Sequence, residues 1–370
     1  MEAGDVARRR REPDRAPRLD RGAGLALPDQ PAAPVGRPGR SGGPLRRSRP
    51  GAGECRVVSG RVLVLGGAGR LGRASAEAFR DAGWQVASLV RGSAASRIAP
   101  DTELITLDAR DTESVVKAAQ GADVVLHALN VPYTRWEAEA FGLAETAIAA
   151  ARAAGATLMM PGNVYGYGAG MPPVLDEDTP MRPTSRKGTI RVAIEERLRA
   201  EAETGLRTIV LRTGDFYGGD AGGWLDRVVL NHISHGRLAY PGPLDVVHTW
   251  AYLPDVAATV PKLAAVRDAV PPFAAYGFAG HAVTGDELLK AITTALGRSF
   301  KIDRMQWWML RLLAPLVPVF RELTDIAYLW TVPHRIDERR LAAAIGQVPH
   351  TPFEAALAAA LYELGATRRA

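Results

Sequence analysis

Read for the order of its apolar and polar positions, the chain changes character near residue 58. Before that point no hydrophobic period is sustained. From Arg61 onward, short apolar runs alternate with helical patterns. Arg61-Val-Leu-Val-Leu65 reads as a buried strand, and Leu71, Ala74, Ala78 and Phe79 recur on one face of a helix stopped by Gly83. Further strands are expected at 85–90, 103–107, 123–128, 157–160 and 207–212, and helices at 114–119, 135–154 and 189–204. The last of these helices turns Ile190, Ala193, Ile194 and Leu198 inward. Strands alternating with helices predict an α/β fold, a Rossmann-type doubly wound parallel sheet. After residue 215 the pattern becomes irregular and richer in Pro and Trp, which predicts a smaller C-terminal substrate lobe over the sheet's carboxyl edge. The expected division is an extension at 1–57, a dinucleotide-binding domain at 58–215 and a lobe at 216–370, with a segment near 246–262 returning to the sheet.

Charge sharpens the first boundary. Residues 1–55 hold twelve Arg against seven Asp or Glu, a net of +5, while the whole 370-residue chain carries +6. The remainder is therefore close to neutral, and the basic character belongs to the extension rather than to a nucleic-acid-binding fold. With eight Pro, nine Gly and no aromatic residue, the extension is expected to be disordered. Cys55 is the only cysteine, so an intrachain disulfide, a thiolate cluster and a CxxC redox pair are all excluded. The apolar stretch 305–320 is interrupted by Arg311, Pro315 and Pro318, too broken to span a bilayer. Around Trp307 and Trp308 a core helix or a lid over substrate is expected, with a membrane-surface role as the secondary reading. A cytoplasmic protein with no nucleic-acid or membrane partner follows from these features.

Gly66, Gly69 and Gly72 form G-x-x-G-x-x-G between the first strand and the first helix. Such a turn needs glycines so that it can be tight, let backbone approach a pyrophosphate and pack helix against strand. The phosphates then meet free N–H groups at the helix N-terminus. Gly66, Gly69, Arg70, Leu71 and Gly72 are accordingly the expected cofactor contacts. At the end of the second strand, where Asp or Glu would meet a ribose 2′-hydroxyl, stands Arg91, with Arg70 as a second cation. That favours NADP over NAD.

These pieces together resemble the extended short-chain dehydrogenase/reductases, the NAD-dependent epimerase/dehydratase group. The resemblance runs from the glycine turn through Leu107-Asp108, Asp123-Val-Val-Leu-His-Ala128, Asn163-Val-Tyr-Gly166, Asp176-Glu-Asp-Thr-Pro180 and Leu211-Arg-Thr-Gly-Asp-Phe-Tyr-Gly218 to Trp250-Ala-Tyr-Leu-Pro-Asp-Val256. It implies that Asp108 meets the adenine, that His127 and Ala128 lie beside the cofactor, that the lobe holds a small-molecule substrate, and that the protein is a homodimer.

The resemblance fails where that family handles protons. Its Tyr and Lys, four residues apart, correspond here to Lys187 and Arg191, and its supporting Ser/Thr to Pro161, beside Gly162 and Asn163. Lys187 is the expected replacement acid, because Arg191 one helical turn on would depress its pKa, with Tyr165 and Asn163 as the other candidates. Arg191 is expected to hold the nicotinamide ribose. The position where nucleotide-sugar members carry a diphosphate-gripping Arg is His248, which argues against nucleotide sugars. His232, His235 and His248 are too loosely spaced to predict a metal. Two functions remain open: an NADP-dependent oxidoreductase or epimerase/dehydratase with a rearranged proton donor, and a non-catalytic NADP(H)-binding sensor or scaffold.

Overall fold

A computed structural model describes residues 60–366, and the expectations placed on 1–57 lie outside these. The first half is the expected alternation: β1 (Arg61–Leu65), α1 (Arg70–Asp81), β2 (Gln85–Val90), β3 (Glu103–Thr106), α2 (Thr112–Ala118), β4 (Val124–His127), α3 (Trp136–Ala154) and β5 (Thr157–Asn163). A two-residue β6 (Val174–Leu175) precedes α4 (Arg186–Glu203), β7 (Thr208–Thr213) and β8 (Asp215–Tyr217). The second half comprises β9 (Arg237–Tyr240), β10 (Val247–Tyr252), α5 (Leu253–Ala265), β11 (Phe273–Gly277), β12 (His281–Thr284) and α6 (Gly285–Leu296). It ends with β13 (Lys301–Arg304), α7 (Trp307–Leu313), α8 (Pro318–Asp325), β14 (Arg335–Ile336), α9 (Arg339–Ile345) and α10 (Phe353–Glu363).

Seven parallel strands form the central sheet in the order β11-β7-β5-β4-β1-β2-β3. Strands β1 and β4 read as near-continuous apolar runs because both of their faces are covered, while the edge strand β3 is largely exposed. Val62, Val64, Leu126 and Ile209 pack on the side of α1 and α5, and Leu63, Leu65, Val125 and Val210 on the side of α2, α3 and α4. Strand order reverses between β1 and β4, and the carboxyl ends of those two strands open the crevice in which such sheets bind ligands.

The returning segment differs from the sequence reading. The strand at 247–252 joins a separate three-stranded sheet, β12-β10-β8, and Phe273–Gly277 is the segment that rejoins the central sheet beside β7. An unpaired β7 edge would expose a row of N–H and C=O groups, and β11 covers it. Helix α5 covers α1 through Val256, Val260 and Leu263. The dinucleotide-binding layer is thus completed by residues beyond 215, and the described residues belong to one compact unit. No helix among them is long and apolar enough to cross a membrane.

Candidate functional site

At the switch point the glycine turn has the geometry its sequence requires. Gly66 takes φ +90°, which only glycine adopts without strain, and the amides of Gly66 and Gly67 donate to the Leu89 carbonyl at 3.0 and 3.1 Å. A Cβ at Gly72 would lie 2.2 Å from the Gly66 carbonyl oxygen, so the helix can sit on the turn only because that side chain is missing. Gly69 is exposed and caps α1 in extended conformation, with no side chain accepting from the first N–H groups and no acid in the first turn. Those N–H groups therefore face an open cleft, as an anion site requires. The cleft is open to solvent and continues along α1 and α5 as far as Trp84 and Lys262. Turn and helix end together fit the phosphates of a dinucleotide.

The expected cofactor residues divide into those that line this cleft and those that support it. Gly66, Gly69, Leu71, Arg91, Asp108, Ala128 and Arg191 line it. Arg91 follows β2 with its side chain exposed. Asp108 is held below the usual carboxylate range by the Arg110 amide and guanidinium, whose charge lies 3.1 Å away. Arg70 borders the cleft, but its guanidinium donates to the carbonyls of Gly218 at 2.7 Å and Gly219 at 3.4 Å. It ties the glycine turn to the segment after β8 through Nε and Nη2. His127 is buried and its Nδ1 accepts from the Leu129 amide at 3.3 Å. Burial, with the Arg191 charge, pushes its pKa down to about 3, so the ring is neutral and shapes the β4 end from behind Ala128 rather than facing the cleft.

Lys187 requires the largest correction. Helix α4 begins at Arg186, capped by Ser185, whose Oγ accepts from the Gly188 amide at 3.0 Å. This start lies earlier than the sequence pattern suggested and puts Lys187 in the first turn. There the side chain is 1% exposed and its ammonium bonds the Glu322 carboxylate of α8, with the Glu322 carbonyl 3.2 Å and Asp325 3.8 Å away. Lys187 does not line the cleft, and freeing it would strand a buried carboxylate. It is a structural cation, not a placed proton donor.

The hydroxyl that does border the cleft comes as a pair. Asn163, at the end of β5, accepts from the Tyr165 amide through Oδ1 at 3.0 Å and so sets the turn carrying Tyr165. The Tyr165 hydroxyl lies 2.9 Å from that of Tyr133, and the Tyr165 carbonyl accepts from Tyr328 at 3.0 Å. Burial raises both phenols, Tyr133 to about 12 and Tyr165 well above its ordinary value, while the Arg191 charge opposes the rise in each. Arg191 lies over the Trp136 ring at 4.8 Å and donates through Nη1 to the Pro161 carbonyl at 3.2 Å. Its Nε is buried and unpartnered among the described residues. Tyr133 was missed by the sequence reading. It follows Pro132 in a stretch without periodicity, and the only available signal was an aromatic residue just past β4, at the ligand-binding edge of the sheet.

Asp215 also lines the cleft, with Trp224 and Arg227. Its Oδ2 lies 2.9 Å from His248 Nε2, while His248 Nδ1 faces the Leu329 carbonyl at 3.2 Å and the ring stacks on Trp330 at 4.1 Å. His248 is buried and bridges Asp215 to the Leu329 carbonyl. Among the described residues no group of three His, Cys, Asp or Glu side chains gathers in metal-binding geometry.

Comparison with known proteins agrees with this geometry. The family model described as NAD dependent epimerase/dehydratase matches residues 62–276. A Streptomyces protein described as a 3-diazoavenalumate denitrifying reductase is 33% identical over 198 residues, covering 49% of this chain and 64% of that protein. The chain thus matches just under two thirds of that relative's length. The UDP-glucose 4-epimerase of Bifidobacterium longum, solved with NAD+ and UDP, shares the fold at 16% identity and a TM-score of 0.67, over 84% of this chain and 99% of that one. The corresponding epimerase of Stenotrophomonas maltophila, solved with NAD and formylated UDP-arabinopyranose, superposes at 17% identity and a TM-score of 0.66, over 84% of this chain and 100% of that one.

Proposed function

The chain belongs to the NAD-dependent epimerase/dehydratase family, and from that premise we propose that it is a nicotinamide-dependent reductase of a small molecule, with NADP(H) as its cofactor. The observation that carries this reading is the Tyr133–Tyr165 hydroxyl pair, 2.9 Å apart, beside Arg191 in the cleft that begins at the glycine turn. Arg91, at the end of β2, supports the phosphorylated cofactor over NAD(H).

A reduced nicotinamide supplies hydride when bound. The chain's own residues supply binding and the proton. The open N-terminus of α1 receives the phosphates. Two hydroxyls share one mutual hydrogen bond, which leaves one O–H free to donate to a substrate oxygen. Burial keeps both phenols protonated across the neutral range, so transfer occurs only to a strongly basic oxygen such as the alkoxide formed as a carbonyl accepts hydride. Arg191 holds positive charge against that oxygen and against any phenolate left behind. Asn163 positions Tyr165 through its amide rather than acting on substrate.

A second reading of the substrate is favoured by the relative that acts on a diazo compound and by the withdrawal of Lys187 into the buried pair. An aryldiazonium ion takes hydride and leaves as arene and N2, a balanced change that needs no proton. A site with two weakly acidic phenols and no available Lys suits such a substrate. The test is NADPH oxidation by the unmutated protein, Tyr133→Phe and Tyr165→Phe against a carbonyl panel and an aryldiazonium panel, with cofactor affinity measured separately. A carbonyl reductase loses at least about tenfold in kcat in one or both variants, corresponding to a proton donor worth 10²–10⁴-fold at full effect. A diazo reductase keeps its rate in both. Cofactor that binds and is consumed with no compound of either class supports the sensor or scaffold reading instead.

A further inference from the structure

At the lip of the cleft, α7, α8 and the turn between them leave five large apolar side chains in solvent. Trp308 is 65% exposed, Leu312 69% and Leu316 79%, with Met309 and Val319 also above two fifths. The neighbouring Trp307 is anchored, its Nε1 donating to the Pro241 carbonyl. Trp308 satisfies its own Nε1 on Gln306 at 3.0 Å, which leaves its ring free to enter an apolar medium without stranding a donor. Scattered exposed leucines need no explanation, but five large apolar side chains exposed within twelve consecutive residues, 308–319, mark a contact surface.

Charge identifies what it contacts. Residues 304–321 contain Arg304, Arg311 and Arg321, all exposed, and no Asp or Glu. The adjoining Glu322 is buried and pairs with Lys187, Arg186 and Arg321, so Arg304 and Arg311 are the cations that the face presents. A second copy docked through the same patch by a two-fold axis would set arginine against arginine. Residues 1–55 of this chain, with a net charge of +5, would meet the same repulsion. An anionic bilayer satisfies both features at once: Trp and Leu enter the headgroup boundary, and Arg meets phosphate. Helices of seven and eight residues are only about 10–12 Å long, which suits lying at an interface and not spanning one.

We propose that the α7–α8 face docks on an anionic phospholipid surface. Val319 and Leu323 also line the cleft, so docking brings the cleft's lip to the lipid.

The test uses the full chain with phosphatidylcholine vesicles, with and without phosphatidylglycerol, some carrying brominated acyl chains. Sedimentation with the anionic vesicles and quenching of tryptophan emission by bromine are expected. Trp308→Phe should remove the larger part of that quenching while binding persists. Leu312→Ser with Leu316→Ser should weaken partitioning about tenfold or more, with an unchanged thermal melt as the check on folding. No sedimentation with anionic vesicles overturns the proposal. So does sedimentation without Trp308-dependent quenching, which would assign the binding to the arginine-rich N-terminal segment. A dimer in light scattering that Leu312→Ser and Leu316→Ser dissolve also overturns it, assigning the face to a second copy.

Discussion

Lys187 shows how far one residue's role depends on a partner that local sequence does not reveal. Its place one turn before Arg191 was legible, but Glu322, 135 positions later, was not. Burial alone would raise the Glu322 carboxyl, yet the bond and charge of Lys187, helped by Arg186 and Arg321, hold it below the usual carboxylate value. Lys187→Met is therefore expected to lower stability by about 3 kcal/mol, the lower end for a broken buried pair because two arginines remain. Turnover by the folded fraction should persist. Urea denaturation beside an activity assay checks this, and normal stability with abolished turnover would restore Lys187 as the acid. Arg91 is the opposite case, a residue whose placement at the end of β2 was readable from strand and turn alone. A charge-assisted phosphate contact is worth roughly 1.5–3 kcal/mol, so Arg91→Asp should shift the NADPH-to-NADH affinity ratio about tenfold or more toward NADH. Equal affinities in the unmutated protein would remove the NADP assignment.

Among the elements, those with a strong local period were placed to within a few residues, and those fixed by distant partners were not. Strand β1, the glycine turn and α1 agree with their pattern because turn chemistry, apolar run and amphipathic face point the same way. Strand β5 continues to Asn163, past the expected stop at 160, since Pro161, Gly162 and Asn163 still pair with β7. Nothing in their composition announces a strand; the pairing is supplied by the neighbour. Helix α4 starts three residues early because Ser185 caps it, a signal present in the sequence and outweighed by the search for apolar spacing. The turn itself yields a sharp expectation. Gly72→Ala places a methyl 2.2 Å from a backbone carbonyl that cannot swing aside as a side chain can. Helix α1 must then lift from the turn, costing about 1–3 kcal/mol of stability and weakening cofactor binding at least about tenfold as the N–H groups lose alignment. Calorimetric titration with NADPH would show it, and unaltered affinity would mean that the phosphates are held elsewhere.

For the molecule as a whole, the question is whether the sheet and the C-terminal segments that complete it unfold together. Two buried histidines, one in each half, provide internal reporters. His127 closes β4, and burial with the Arg191 charge pushes it down to about 3. His334 lies beyond α8, its Nδ1 donating to the Val332 carbonyl at 2.9 Å while Nε2 is buried without a partner among the described residues. Burial, reinforced by His248, pushes it down to about 4. Each ring is neutral when folded and titrates near 6.5 when the chain is unfolded. Between those values the unfolded state binds the extra proton, so the stability each contributes is fully present above about pH 6.5 and is lost as pH falls toward 4 and then 3. At pH 5 the loss approaches about 2 kcal/mol per ring. Because β11 and α5 return from the C-terminal half to complete the central sheet, one cooperative transition is expected, in which both histidines tax the same equilibrium. Urea unfolding at pH 7.5 and pH 5.0 should then give a single transition whose midpoint falls with acid. His127→Gln and His334→Gln should each flatten that pH dependence of the same transition. Two separated transitions, with His334→Gln moving only one and His127→Gln only the other, would mean that the halves are held together more weakly than the shared sheet implies.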